Sequence, residues 1–216
     1  MNRRHFIAGL GLFSLMTSVK GGLQSLNSQF PTDGLYLEYR VFYGGHEIGK
    51  QHVSVKTHTD NENIVIEHDI NLVVKVLFAV AYSLEHKSTE IWSPEHKLIS
   101  IDSRTVENGK ETKAIGRRHQ ADDFHITGEY GKHTGLDSLV TTDSFWMASA
   151  LDVSSIMNTR TGDLADAKVM QLSDNKYLVK ADFEHGGLKA TLQYENNILA
   201  QAEVDSDGHV VSFKRV

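Results

Sequence analysis

From Leu35 to the C-terminus, apolar residues recur at every second position rather than at every third or fourth. This spacing is typical of β-strands, in which successive side chains point to opposite faces of the sheet. Turn-forming residues interrupt the alternation roughly every 8–12 residues. Asn108-Gly109 is the clearest case, because a type I′ hairpin turn requires positive φ at both central residues. The pattern predicts antiparallel strands joined by hairpins over residues 35–216.

One stretch near the middle of the chain departs from this alternation. Asp143 is a candidate N-cap for a short helix over residues 143–151. Residues 35–216 contain no internal repeat and no second composition regime, which indicates a single β-rich domain. We therefore predict a mostly β fold: a single antiparallel curved sheet or incomplete β-barrel with one short mid-chain helix.

The segment 64–84 is too long to be one strand. Most of its large apolar residues share one parity, and the other parity turns apolar at Leu77, Ala79 and Ala81. A single strand of 21 residues would extend ~70 Å, far beyond the usual ~20 Å. A bend is therefore predicted between Lys75 and Ala79. Residues 75–79 themselves contain no Gly, Pro, Asn or Asp, the residues that usually form turns. An apolar turn has no reason to face water. We expect the bend either to be covered by the mid-chain helix or to line an apolar pocket.

Residues 1–21 have the composition of an export signal. Arg3 and Arg4 precede an apolar stretch that ends near Val19, and the run that begins at Arg3 is similar to the twin-arginine consensus. We predict cleavage after Gly21, a linker over residues 22–34, and a periplasmic or secreted location reached by a twin-arginine-like or general route. The usual Ala-x-Ala is missing, so an uncleaved anchor is the alternative.

The charge balance argues against nucleic acid as a partner. Removal of residues 1–21, which carry three basic residues and no acidic one, takes the net charge from −6 to −9. Like charges repel, so we expect no nucleic-acid partner and membrane contact only through the export signal. The absence of cysteine excludes disulfides and thiolate metal sites. The sequence leaves the oligomeric state open.

Three ionisable residues, His68, His86 and Glu90, fall on the apolar parity of residues 64–92. Polar groups that face a core need hydrogen-bond partners, and Arg104 on the following strand is a candidate fourth member. One interpretation is an acid–base or ligand-anchoring cluster, which would make the chain an enzyme. The others are a buried structural network, or a bulge that turns these residues to solvent.

No motif in the sequence specifies a cofactor or a metal. None of the twelve histidines stands at His-x-x-x-His spacing, and a glycine turn interrupts the evenly spaced His46, His52 and His58. Nucleophile motifs such as Gly-x-Ser-x-Gly are also missing. We therefore expect no cofactor and no metal site.

Short motifs spread along the chain resemble one family. They are Tyr39-x-Val41, Gly45-x-x-Ile48-Gly49, Val74-Lys75-Val76-Leu77-Phe78, Tyr82, Glu85-His86, Glu90-x-Trp92, Ser103-Arg104-Thr105, Asn108-Gly109-Lys110, Trp146 and Asn158-x-x-Thr161-Gly162. This order resembles an uncharacterised family of exported bacterial proteins, number 6134 in the domain-of-unknown-function series. The resemblance implies an exported β-rich protein and assigns no activity and no catalytic residue. The architecture also resembles the curved sheets of periplasmic lipoprotein carriers and lipocalin-type binders, a likeness of fold only.

The apolar bend favours a binding or carrier protein for an apolar ligand, such as a lipid or another hydrophobic small molecule. A curved sheet closed by a helix offers the concave apolar volume that such ligands need. The predicted lining residues are Leu72, Val74, Val76, Phe78, Tyr82 and Trp146. Two other functional classes stay open. One is an enzyme that uses the His/Glu cluster, and the other is a structural interaction module of the cell envelope with the bend as an exposed docking patch.

Overall fold

A computed structural model describes residues 34–57, 62–120, 123–136, 140–206 and 208–216. The predicted export signal over residues 1–21 and nearly all of the linker over residues 22–34 lie outside these residues. The described residues form fifteen strands: β1 (Leu35–Tyr43), β2 (His46–Thr57), β3 (Ile64–Val76), β4 (Ala79–Trp92), β5 (Leu98–Glu107), β6 (Lys110–Gln120), β7 (Asp123–Gly128), β8 (Gly131–Leu136), β9 (Val140–Thr142), β10 (Ser155–Met157), β11 (Leu164–Ser173), β12 (Lys176–Phe183), β13 (Gly186–Glu195), β14 (Ile198–Ser206) and β15 (His209–Arg215).

All fifteen strands belong to one sheet. Its order runs from β8 down to β1, then from β15 down to β9, so the first strand pairs with the last. Every pair of neighbours is antiparallel except β9 and β10, which are parallel. The sheet is open, with β8 and β9 at its two ends. The prediction of a mostly β chain built as a curved sheet or incomplete barrel is therefore confirmed.

The core lies on the inner side of this curved sheet and is filled partly by the segment that joins β9 to β11. Trp146 and Met147 in this segment are almost completely buried. The Trp146 carbonyl accepts a hydrogen bond from the Leu199 amide of β14 at 3.0 Å. Farther along, the Ser103 hydroxyl of β5 donates to the Thr159 carbonyl at 2.5 Å. The segment thus bonds to both halves of the sheet and holds them together.

The predicted helix over residues 143–151 is much shorter than expected. The only helix in the described residues is a 3-10 turn over Ala148–Leu151. Phe145 has a φ of 48°, a left-handed conformation that a helix does not tolerate. Met147 instead forms an isolated antiparallel bridge to Ile198 of β14. Burial of the large side chains at 145–147 against the sheet therefore overrides the local helix preference, and Asp143 caps no helix.

The predicted bend within residues 64–84 is at the expected place, but its surroundings are not. β3 ends at Val76, Leu77 and Phe78 form the turn, and β4 begins at Ala79. The prediction that the bend is covered or lines a pocket is wrong, because Leu77 is 91 % exposed and Phe78 is fully exposed. The hairpin continues past its neighbouring strands, so nothing in the described residues reaches its end to cover it. The described residues contain no helix of the length and apolar character needed to cross a membrane.

Candidate functional site

A cavity of about 850 Å³ opens on the inner side of the sheet. Most of its walls come from β2, β3, β4, β14 and β15, and from the segment over residues 143–163. Apolar side chains of the strands cover much of these walls: Ile48, Ile70, Leu72, Leu84, Val211 and Phe213. The volume is within the range of about 300–1,000 Å³ that is common for small-molecule sites.

Four polar side chains are buried beside this cavity on β3 and β4. His68, His86, Ser88 and Glu90 are each less than a tenth exposed, and Glu90 is completely buried. His68 pairs directly with Ser88 across the two strands. His86 and Glu90 stand two positions on either side of Ser88, so alternation brings all four to the same face. We call these four residues the polar cluster; all but Glu90 line the cavity.

Two members of the polar cluster have firm hydrogen-bond partners in the core. The His86 Nδ1 atom and the Thr105 hydroxyl share a hydrogen bond of 2.8 Å. The Trp92 indole N–H donates to Glu90 Oε2 at 2.8 Å. These bonds fix the orientation of one imidazole and one carboxyl group.

Four further polar atoms of the cluster are fully buried and have no hydrogen-bond partner among the described residues. They are both ring nitrogens of His68, the Ser88 hydroxyl and Glu90 Oε1. His68 Nε2 lies 3.7 Å from Glu90 Oε1, which is too long for a hydrogen bond. Buried polar atoms are nearly always paired, and each unpaired one costs about 1–3 kcal/mol. His68 and Ser88, which line the cavity, therefore offer donors and acceptors to a group that enters from it.

Burial shifts the pKa of three cluster members toward their neutral forms. It lowers the pKa of His68 to about 3, with a further lowering by His86. It lowers the pKa of His86 to about 4, against the opposing charge of Asp143. Burial also raises the pKa of Glu90 to about 7, although the hydrogen bond from Trp92 opposes the shift. At neutral pH both imidazoles are uncharged, and Glu90 is the one member that gains or loses a proton.

The prediction that Arg104 joins this cluster is wrong. Its guanidinium lies on the outer face of β5 and pairs with Glu111 at 2.7 Å. The inward position belongs to the next residue, Thr105, because side chains alternate along the strand. The arginine at the cavity is Arg160, which pairs with Glu107 at 3.6 Å.

The loop over residues 158–163 places Arg160 at the cavity and is held from several sides. The Asp143 carboxylate accepts hydrogen bonds from the Thr159 amide at 3.0 Å and from its hydroxyl at 2.7 Å. The Thr112 hydroxyl donates to the Arg160 carbonyl at 3.0 Å. Sequence reasoning missed this loop as part of the site, although its Asn158-x-x-Thr161-Gly162 motif was visible. A polar motif in a loop does not reveal which distant strands it contacts.

The loop continues to a second polar contact at the rim of the cavity. Asp163, only 4 % exposed, lies 3.5 Å from the imidazole of His185 in the β12–β13 turn. The ring of His185 in turn stacks on Tyr130 with 3.6 Å between ring centroids. Tyr130 belongs to the β7–β8 turn, so this stack joins the two halves of the sheet beside the opening.

Of the predicted lining residues, the structure places three in the cavity wall: Leu72, Val74 and Tyr82. Val76 and Phe78 do not line it, because they lie at the exposed end of the β3–β4 hairpin. Trp146 does not line it either, because its side chain is buried in the core among the strands. The prediction of a lining role is therefore wrong for these three residues.

The evenly spaced histidines do not form a metal site in the described residues. His46 is exposed, and His52 lies 3.5 Å from Glu38 on the outer face. His58 lies outside the described residues. Among the residues described, no group of three or more His, Cys, Asp or Glu side chains is placed to hold a metal ion.

Comparisons with known proteins give a family and a fold. A family model, described as a domain of unknown function (DUF6134), matches residues 39–216. The fold is similar to the crystal structure of a beta-barrel-like protein of the domain of unknown function DUF1849 from Brucella abortus. That similarity has a TM-score of 0.52 and 9 % sequence identity, and it covers 84 % of this chain and 94 % of the other. No curated protein matches the sequence.

Proposed function

Since this chain belongs to the DUF6134 family, whose description names no activity, we propose a function from the cavity itself: a periplasmic or secreted protein that binds an elongated amphipathic ligand. The observation that carries the proposal is the cavity of about 850 Å³, with apolar walls and unpaired polar atoms buried at one side. The apolar part of the ligand lies along the strands, and its polar end reaches the polar cluster.

The apolar walls favour a hydrocarbon chain as the body of the ligand. Leu72, Leu84 and Val211 come from three different strands and present only carbon atoms to the cavity. Burial of a CH₂ group against such a surface is worth about 0.8 kcal/mol, so a chain of several carbons binds without any polar contact.

The polar cluster favours an uncharged head group. His68 is neutral at pH 7, and Glu90 keeps a proton for part of the time, so the cluster offers both donors and acceptors with little net charge. Arg160 does not supply an unpaired charge, because Glu107 lies 3.6 Å away. A hydroxyl group, which donates and accepts, satisfies these atoms better than a carboxylate or a phosphate does. Long-chain alcohols and monoacylglycerols have this chemistry.

Filling the cavity tests the proposal. We expect L72W to weaken binding of the fluorescent hydrophobe N-phenyl-1-naphthylamine at least tenfold, because the indole occupies the space between the strands. V73W is the matched control, since Val73 is the neighbouring residue on the outer face and is 37 % exposed. The measurement is a fluorescence titration, together with mass spectrometry of the organic extract of each purified protein. The proposal fails if the wild type binds no probe and yields no hydrophobe above a blank, or if both variants bind equally.

One observation favours a second candidate, an enzyme. Glu90, with a pKa near 7, lies 3.7 Å from a neutral imidazole, an arrangement suited to proton transfer. Incubation with 1-monooleoylglycerol and analysis of the products by mass spectrometry separates the two functions. An enzyme releases product that E90Q does not, whereas a binding protein returns the lipid unchanged in both forms.

A further inference from the structure

We propose that the end of the β3–β4 hairpin inserts into a phospholipid bilayer. We define the hairpin tip as residues 73–81. In the described part of the chain, β2 pairs with β3 only as far as Leu72, and β5 pairs with β4 only from Leu84 onward. The hairpin tip is therefore a two-stranded ribbon that projects beyond the sheet. The four strand residues over 73–76 give it a reach of about 13 Å before the turn.

The hairpin tip presents apolar side chains on both of its faces. Leu77 is 91 % exposed and Phe78 is fully exposed at the turn. Ala79 and Val80 are both exposed as well, and consecutive strand residues point to opposite faces. A flat protein surface could cover only one of these faces. Fluid hydrocarbon surrounds a narrow projection completely, so a bilayer covers all of the exposed apolar side chains at once.

The charge of the hairpin tip also fits a phospholipid surface. Lys75 is the only charged residue between positions 73 and 84, whereas the whole chain has a net charge of −6. A lysine near the base of an inserted apolar segment can hold its ammonium group at the level of the lipid phosphates while its carbon stem lies along the apolar part. The acidic remainder of the surface is repelled by those phosphates. The charge distribution therefore turns this end of the molecule toward the bilayer.

Insertion of the hairpin tip would bring the cavity to the lipid surface. Val74 and Tyr82, at the root of the projecting ribbon, line the cavity. A bilayer that surrounds the tip therefore lies next to the cavity wall, where an amphipathic ligand could pass between the two. This passage rests on the proposed function, but the attachment itself does not. The proposal departs from the expectation of membrane contact only through the export signal, because it adds a second point of contact.

Flotation with phosphatidylcholine vesicles tests the attachment. We expect the wild-type protein to float with the vesicles, and L77D/F78D to partition at least about 100-fold less, because two apolar side chains at the turn are replaced by charges. M170D/L172D is the matched control: it adds the same two negative charges at residues that are 45 % and 52 % exposed on β11. All these positions are exposed, so equal melting temperatures confirm that each variant is folded.

The proposal is overturned if the wild type does not float, or if the two double variants lose flotation equally. It is also overturned if L77D/F78D instead converts a dimer to a monomer in sedimentation without lipid, because the tip would then dock on a second copy of the chain. L72W keeps this test separate from that of the proposed function. It should float as the wild type does even where it no longer binds the hydrophobe, since Leu72 lies inside the cavity and not on the tip.

Discussion

Between pH 6 and pH 5, the free energy of unfolding should fall by about 1.4 kcal/mol per pH unit, which corresponds to the uptake of one proton on unfolding. The effect comes from the polar cluster. His68 and His86 have pKa values of about 3 and 4 in the folded protein and about 6.5 when unfolded. The unfolded chain therefore binds two more protons there, and acid favours unfolding. Urea titrations at pH steps across this interval measure the slope.

Glu90 contributes to the slope with the opposite sign. Its pKa is about 7 in the folded protein and about 4.5 when unfolded, so between those values the folded state binds one more proton. Acid therefore favours folding through this group and cancels one of the two histidine protons. Asp143 and Asp69 raise the pKa of His86 and Arg160 lowers it, so the surrounding charges partly cancel each other. The net expectation is one proton rather than two.

Two variants give the slope a distinctive pattern. E90Q should raise the slope to about 2.7 kcal/mol per pH unit, which corresponds to two protons, because the opposing carboxyl group is gone. H68Q should lower it to near zero, because one histidine then balances Glu90. Ion pairs hold the pKa values of the exposed Glu38 and Glu111 below the ordinary 4.5, so these carboxylates add to the slope mainly below about pH 5, where the unfolded chain takes up their protons. If all three proteins show the same slope, the cluster does not have the protonation states assigned to it.

The parity of side chains along β3 and β4 explains how much of this site was predictable. Alternation is a local property, so the sequence alone placed His68, His86 and Glu90 on the face that carries Leu72 and Leu84. The position of the hairpin turn between Lys75 and Ala79 followed from strand length. These predictions hold because a strand of known direction leaves each side chain only two faces to occupy.

The predictions that were wrong concerned the positions of side chains relative to other strands and loops of the fold. Arg104 was assigned to the cluster because it lies on the following strand, but the alternation of side chains along β5 turns it outward. Arg160 enters the cavity through a loop whose partners are 16 to 56 residues away, such as Asp143 and Ser103. The apolar bend was expected to be covered or to line an apolar pocket, because exposed hydrocarbon is unfavourable in water. That rule describes a protein surrounded by water on every side, whereas the insertion proposed above would place the hairpin tip in hydrocarbon.

The second large effect that we expect is a loss of stability when one methyl group is added at Gly128, because Gly128 lies against the loop over residues 158–163. A Cβ atom there would lie 2.0 Å from the Thr161 carbonyl oxygen and 2.7 Å from the Gly162 Cα atom. The loop cannot yield easily, because the Glu129 amide donates to that same carbonyl at 2.7 Å and the Gly162 amide donates to the Asn158 carbonyl at 2.8 Å. The close approach of β7 to the loop therefore requires glycine.

G128A should lower the free energy of unfolding by about 3 kcal/mol, which corresponds to a fall in melting temperature of about 10 °C for a chain of this size. G187A is the matched control, because Gly187 is half-buried as Gly128 is, and a Cβ atom there meets nothing within 4 Å. Both glycines have backbone conformations open to alanine, so the comparison isolates the steric contact. G128A should also weaken binding of N-phenyl-1-naphthylamine, since a displaced loop moves Thr159 and Arg160 at the cavity wall. Equal melting temperatures for the two variants would show that the loop does not hold the halves of the sheet together at this point.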